Sequence, residues 1–171
     1  KERGKHQRKR PPQADHAVVW ALPQAFLDEQ PRLKGLFNIG AGVDALLKLS
    51  LPPEALVVRL DDAGMAVQMA ELVCHAVTRH FREFDAYDRD AAAGKWGFRK
   101  PRERAEFPVG VMGLGVLGRR VAQAIGAFEF PVRGWSRQPR EVPGVECFAG
   151  EDGFGEFLAG TRVLVNLLPL T

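Results

Sequence analysis

The apolar positions of this chain follow two rhythms. In the first third, short runs of branched and aromatic residues at 17–20, 33–39 and 56–60 are separated by polar stretches that hold Gly, Pro and Asp. Each run reads as a strand, and the first, ending at Trp20, as a buried one. Between the runs, Pro23 can open a short helix reaching Leu27. Residues 44–49 form a second, N-capped by Asp44 and stopped by Pro52 and Pro53. From Asp62 the period lengthens. Met69, Leu72, Val73, Ala76, Val77, His80, Phe81, Phe84 and Tyr87 recur at three- and four-residue spacing, which predicts one long helix capped by Asp61 or Asp62. Residues 94–106, mixed in charge and broken by Gly and Pro, read as a linker or exposed loop. The short rhythm returns at Phe107, with strands predicted at 109–112, 131–136, 145–149 and 162–168 and helices after the first and third. Strands alternating with helices imply an α/β fold with parallel sheets.

Charge alters this picture only at the start. Residues 1–10 hold six Lys or Arg against Glu2, so they carry +5 of a chain whose total is +3, and the remainder sums to −2. Residues 1–13 therefore read as a disordered, solvated basic arm, with nucleic acid disfavoured as a partner. The two cysteines, Cys74 and Cys147, have no metal or disulfide spacing and fit a cytoplasmic protein. No apolar run is long enough to cross a membrane.

The chemistry concentrates where the strand at 109–112 meets Gly113, Gly115 and Gly118, a G-x-G-x-x-G turn that opens directly into an apolar-periodic helix. In that context Gly113 allows the tight turn, Gly115 lets a pyrophosphate approach the backbone, and Gly118 lets the helix lie close to the sheet. The N–H groups at the helix start favour a bound anion. An acid for the adenosine ribose is expected about twenty residues further on. Trp135, Ser136 and Arg137 stand there instead, while Glu129 precedes the strand. A guanidinium can clamp a 2′-phosphate, and Ser136 can add a hydrogen bond, which favours NADPH over NADH. A second glycine turn, Gly40 and Gly42 around Ala41, lies between a strand and a helix and exposes N–H groups able to hold a small carboxylate, or serves as a plain turn. His75 and His80 fall on different faces of one helix and do not suggest a shared metal.

Taken in order, residues 17–20, 37–44, 59–65, 68–69, 109–118, 134–137, 143–145, 148–150 and 165–169 resemble the D-isomer-specific 2-hydroxyacid dehydrogenase family, in its glyoxylate/hydroxypyruvate reductase A branch. The resemblance implies a flavodoxin-like substrate lobe, here partial and spanning 14–62, followed by an incomplete Rossmann dinucleotide-binding lobe spanning 63–171. It implies reduction of glyoxylate or hydroxypyruvate, small 2-keto acids, with NADPH, by an enzyme that is a homodimer at full length. Ala41 and Gly42 would bind the substrate carboxylate, bordered by Trp20. Gly113, Leu114, Gly115, Val116 and Leu117 would face the pyrophosphate, Trp135, Ser136 and Arg137 the adenosine end, and Leu167, Leu168 and Pro169 the nicotinamide ribose. The family's carbonyl-polarising arginine, its proton-donating histidine and the partner carboxylate would follow Thr171, and its first strand and helix would precede Ala14. The expectation is a chain shortened at both ends and inactive alone, or a dinucleotide-binding module without turnover.

Overall fold

The alternation of strand and helix is realised as two separate parallel sheets. The computed structural model describes residues 12–40 and 42–168. Most of the basic arm, residues 1–11, therefore lies outside the described residues. The chain divides into two units, with the boundary between Ala63 and Gly64.

In the first unit, β1 (His16–Val19), α1 (Gln24–Asp28), β2 (Gly35–Asn38), α2 (Asp44–Leu47) and β3 (Leu56–Arg59) form a sheet of order β1-β2-β3. Side chains alternate across a strand, so Ala17, Leu36 and Val57 share one face. That face packs with Leu27, Leu33 and Leu46 into a small core. Val18, Phe37 and Val58 share the other face and are exposed. The expectation of a buried first strand is thus overturned: Val18 is 72% exposed, because the helical residues of the core lie against the opposite face. Asp44 is not the cap of α2 either. Val43 holds that position and Asp44 sits in the first turn, where its charge still favours the helix dipole. Gln30, fully buried, accepts from the Ala14 N–H and donates to the Pro12 carbonyl, and Gln13 donates to the Glu29 carbonyl. Pro12 and Gln13 are therefore tied to the fold, contrary to an arm extending through residue 13.

The second unit opens with α3 (Met65–Phe81) and α4 (Phe84–Ala92), then a 3₁₀ turn at Arg104–Glu106. The single long helix of the sequence reading is two helices, because Glu83 adopts a left-handed conformation with φ 55°. Gly64, not Asp61 or Asp62, is the N-cap residue of α3. Ala66, Ala70, Val73, Val77 and Phe81 form its buried stripe, while Leu72 and Phe84 are exposed. Phe81 packs edge-on against Phe107 and Phe130.

There follow β4 (Val109–Met112), α5 (Val116–Gly126), β5 (Val132–Ser136), β6 (Glu146–Ala149), α6 (Asp152–Ala159) and β7 (Val163–Asn166), in a parallel sheet of order β6-β5-β4-β7. Val109, Val111 and Val132 join Val121 and Ile125 of α5 and Val73 and Val77 of α3 in one core. The opposite face is covered by α6, whose Phe157 is fully buried; a Cβ at Gly110 would collide with Thr161 and crowd Phe157.

On this second face Arg133 acts as a tie. Its guanidinium pairs with Glu146 at 2.8 Å, donates to the Glu156 carbonyl at 3.0 Å and lies 4.4 Å from the Phe148 ring centroid. Replacing Arg133 by methionine is expected to lower stability by about 1–3 kcal/mol, since both partners lose a charge-assisted bond. Urea unfolding would measure this, and an unchanged midpoint would show the tie to be energetically idle.

Candidate functional site

Strand order locates the site. The chain steps outward from β4 to β5 to β6, then returns on the other side of β4 as β7. In open parallel sheets, ligands bind beyond the C-terminal ends of the strands where the direction of winding reverses. Gly113 follows β4 at that point, and Leu167 and Leu168 follow β7. The Leu167 N–H donates to the Met112 carbonyl at 2.9 Å, and the Gly113 N–H donates to the Trp135 carbonyl at 2.8 Å. The glycine turn, the end of β5 and the end of β7 therefore meet at one sheet edge. Glu129 lies in the turn before β5, at that strand's other end.

The three glycines have different reasons to be glycine. Gly113 has φ +102°, and a Cβ there would sit 3.1 Å from Leu168 Cδ2. Gly118 is buried, and its Cβ would overlap the Gly113 carbonyl oxygen. Gly115, the N-cap residue of α5, has φ −73°, which any residue adopts, and no atom lies within 4 Å of a Cβ built on it. The protein's own packing requires glycine at 113 and 118 but not at 115. Having no side chain, Gly115 also leaves the first N–H groups of α5 to another acceptor.

The other expected contacts separate into available and committed groups. Leu114 is buried, and a Cβ at Gly134 would clash with its methyl groups, so Leu114 can offer a ligand only its backbone. Val116 is exposed, Leu117 half-buried, and Leu167 packs on the core while Leu168 is partly open. Trp135 donates from Nε1 to the Gly150 carbonyl at 2.8 Å and packs edge-on against Phe154, so it is pinned towards α6. Ser136 is buried and its hydroxyl donates to the Gln138 carbonyl at 2.7 Å. A bond from Ser136 to a phosphate would first have to break that one. Arg137 is exposed, and its side chain has no partner among the described residues. Pro169 lies outside the described residues.

In the first unit, Trp20 follows β1 and is 74% exposed. The Ile39 N–H donates to the Val19 carbonyl at 2.9 Å, which sets the end of β1 beside the strand end that carries the second glycine turn. Ala41 lies outside the described residues. A Cβ at either Gly40 or Gly42 would make no close contact with the atoms around it. Asn38, which the sequence reading passed over, is buried just before this turn and donates from Nδ2 to the carbonyls of Gly40 and Gly42, each at 2.8 Å. An asparagine ahead of a glycine-rich turn was the available signal, since its amide bonds readily to backbone two residues on.

Burial pushes the Cys74 thiol up from its ordinary value. His80 packs against Phe107 at 5.7 Å between ring centroids. Among the described residues no helix is long and apolar enough to cross a membrane.

A parallel sheet of this order, with a glycine turn at its switch point, defines a dinucleotide-binding α/β unit. Comparison with known proteins narrows the class. The family model for "D-isomer specific 2-hydroxyacid dehydrogenase, NAD binding domain" matches residues 74–171, and the chain belongs to that family. It is 45% identical over 164 residues to a glyoxylate/hydroxypyruvate reductase A of Photorhabdus laumondii, covering 92% of this chain and 52% of the relative. A D-isomer specific 2-hydroxyacid dehydrogenase from Xanthobacter autotrophicus, solved with NADPH and MES, superposes with a TM-score of 0.82 at 43% identity. That match covers 91% of this chain and 50% of the other. An NADPH-dependent glyoxylate/hydroxypyruvate reductase from Sinorhizobium meliloti, solved with NADP and sulfate, gives 0.87 at 38% identity, covering 97% and 52%. The chain thus spans about half the length of the relatives it matches.

Proposed function

We propose that this chain carries the dinucleotide site and the carboxylate-binding turn of an NADPH-dependent reductase of small 2-keto acids, glyoxylate or hydroxypyruvate. The observation that carries the reading is Gly115, a glycine at the switch point whose lack of a side chain no protein contact or backbone angle explains. The residues present fit the cofactor. Backbone groups of residues 113–117 would hold the pyrophosphate, with Gly118 keeping α5 close beneath them. Arg137, exposed and unpaired among the described residues, would take the 2′-phosphate, with Trp135 and Ser136 beside it. Leu167, Leu168 and Pro169 would border the nicotinamide ribose. When bound, the nicotinamide supplies a hydride for a carbonyl carbon. The turn at residues 40–42, bordered by Trp20, would orient the substrate through its carboxylate. The solved relatives that hold NADPH or NADP support the cofactor choice. The same reading places the complete enzyme in the cytoplasm, supported by two cysteines left as free thiols, and makes it a homodimer.

Titrating the 171-residue chain with NADPH and, in parallel, NADH tests the reading through cofactor fluorescence. Arg137→Ala is expected to weaken NADPH binding at least about tenfold, the loss of a charge-assisted contact of about 1.5–3 kcal/mol, and to leave NADH unchanged. A folded sample that binds neither nucleotide would overturn the dinucleotide site. Equal affinity for both, insensitive to Arg137→Ala, would overturn the 2′-phosphate clamp.

A further inference from the structure

We infer that the loop at residues 95–100 is a contact through which two copies of this chain pair, an inference that rests on the homodimer proposed above and names its surface. Trp96 is 98% exposed and Phe98 82%, more than any other large apolar residue among those described. The backbone that carries them is nevertheless fastened to α4. The Lys95 N–H donates to the Asp90 carbonyl at 2.8 Å, and the Arg99 N–H to the Tyr87 hydroxyl at 3.2 Å. The Arg99 guanidinium pairs with the Asp90 carboxylate at 2.8 Å and lies 5.7 Å from the centroid of the Tyr87 ring. Gly97 passes so close to α4 that a Cβ there would come within 3.0 Å of Asp90 Oδ2. Gly97 and Arg99 are thus half-buried against the helix, while Trp96 and Phe98 are turned out to solvent, the alternation of an extended chain.

Rings left in water add no burial to the fold, yet the loop that presents them is ordered before any partner arrives. Preordered aromatic side chains are the composition of an interface hot spot. A second copy of the chain suits them in size, shape and sign. Each ring can bury about 150–250 Å², and a two-fold pair uses both loops. Counting the surface that receives them, the total comes to roughly 1,200–2,000 Å², the ordinary size of a stable interface. A receiving surface lies in the same unit. Met65, Leu72 and Ala76 are exposed along one side of α3, with half-buried Met69 among them, at the three- and four-residue spacing of an apolar stripe. Lys95 and Lys100 flank the rings and Glu71 is exposed beside Leu72, so opposite charges meet at the rim. A two-fold axis makes the contact of loop on stripe twice and closes the pair.

Sedimentation velocity on the full 171-residue chain, across the micromolar range, tests this. The unmodified chain is expected to sediment as a dimer. Trp96→Ser combined with Phe98→Ser should raise the dimer dissociation constant at least about 30-fold, and Leu72→Glu should do the same from the receiving side. All three positions are exposed, and circular dichroism shows that each variant is folded before it is scored. Val18→Ser combined with Val58→Ser, which alters the exposed sheet face of the first unit, should leave the dimer intact. A dimer of unchanged affinity in the folded Trp96 and Phe98 variant overturns the inference and leaves the homodimer standing. So does a dimer that dissociates only when Val18 and Val58 are changed. If the loop variant does not fold, Leu72→Glu decides, and unweakened pairing there overturns the inference equally. A monomeric unmodified chain would overturn the homodimer itself, and the role of the loop with it. The NADPH titration reads the cofactor site separately from all of these outcomes.

Discussion

Alanine in place of Gly118 is expected to destabilise the second unit by about 3 kcal/mol or more and to abolish NADPH binding. The added Cβ falls on the carbonyl oxygen of Gly113, and backbone cannot rotate aside as a long side chain can. Relief requires α5 to move off β4, which disturbs the core contacts of Val121 and Ile125 with Val109 and Val111. Urea unfolding reads the loss directly. A midpoint equal to that of the unmodified chain would mean that the helix does not sit as close to the strand end as described.

Gly115→Ala is expected to do the reverse. Its φ of −73° suits alanine and the added methyl meets no protein atom, so only the loss of a good N-cap residue counts against it, under about 1 kcal/mol. NADPH affinity, by contrast, should fall roughly 30-fold or more, about 2 kcal/mol, because the methyl would stand in the path of the pyrophosphate at the proposed site. Unfolding and fluorescence titration on the same variant separate the two effects. Undiminished NADPH binding would show that the phosphates do not come near this residue. Three positions apart in one motif, Gly118 answers to the packing of the protein itself, and Gly115, under the function proposed above, to the ligand.

Much of this was legible in the sequence. The G-x-G-x-x-G turn, framed by branched residues before it and an apolar period after it, placed β4 and α5, because strand, turn and helix each left a local signal there. The break between α3 and α4 left none. Phe81 and Phe84 keep the helical spacing, and Glu83, which turns left-handed, is neither Gly nor Pro. The run at residues 17–20 misled for a different reason. Hydrophobicity reports what a strand can bury, whereas Val18 and Trp20 depend on what lies over each sheet face. Arg137 could be singled out from its distance along the chain beyond Gly113, and the structure leaves it exposed. The commitment of the Ser136 hydroxyl to Gln138 and of the Trp135 indole to Gly150 was not, since both depend on where neighbouring backbone carbonyls fall. Asn38 was visible as a letter before a glycine turn, but its two bonds exist only once the turn has folded back over it.

The strand order also sets a sequence in time. β4 and β5 are joined by one helix and can pair early, whereas β7 reaches β4 only after β5, β6 and α6 have been laid down, with Val163 finally opposite Val109. Closing so long a loop is slow compared with local pairing. The junction of β4 and β7 is therefore expected to be the last part of the sheet to form. A nucleotide lodged there would clasp the first strand of the sheet to the last, binding only the finished fold and holding shut the seam that closes latest.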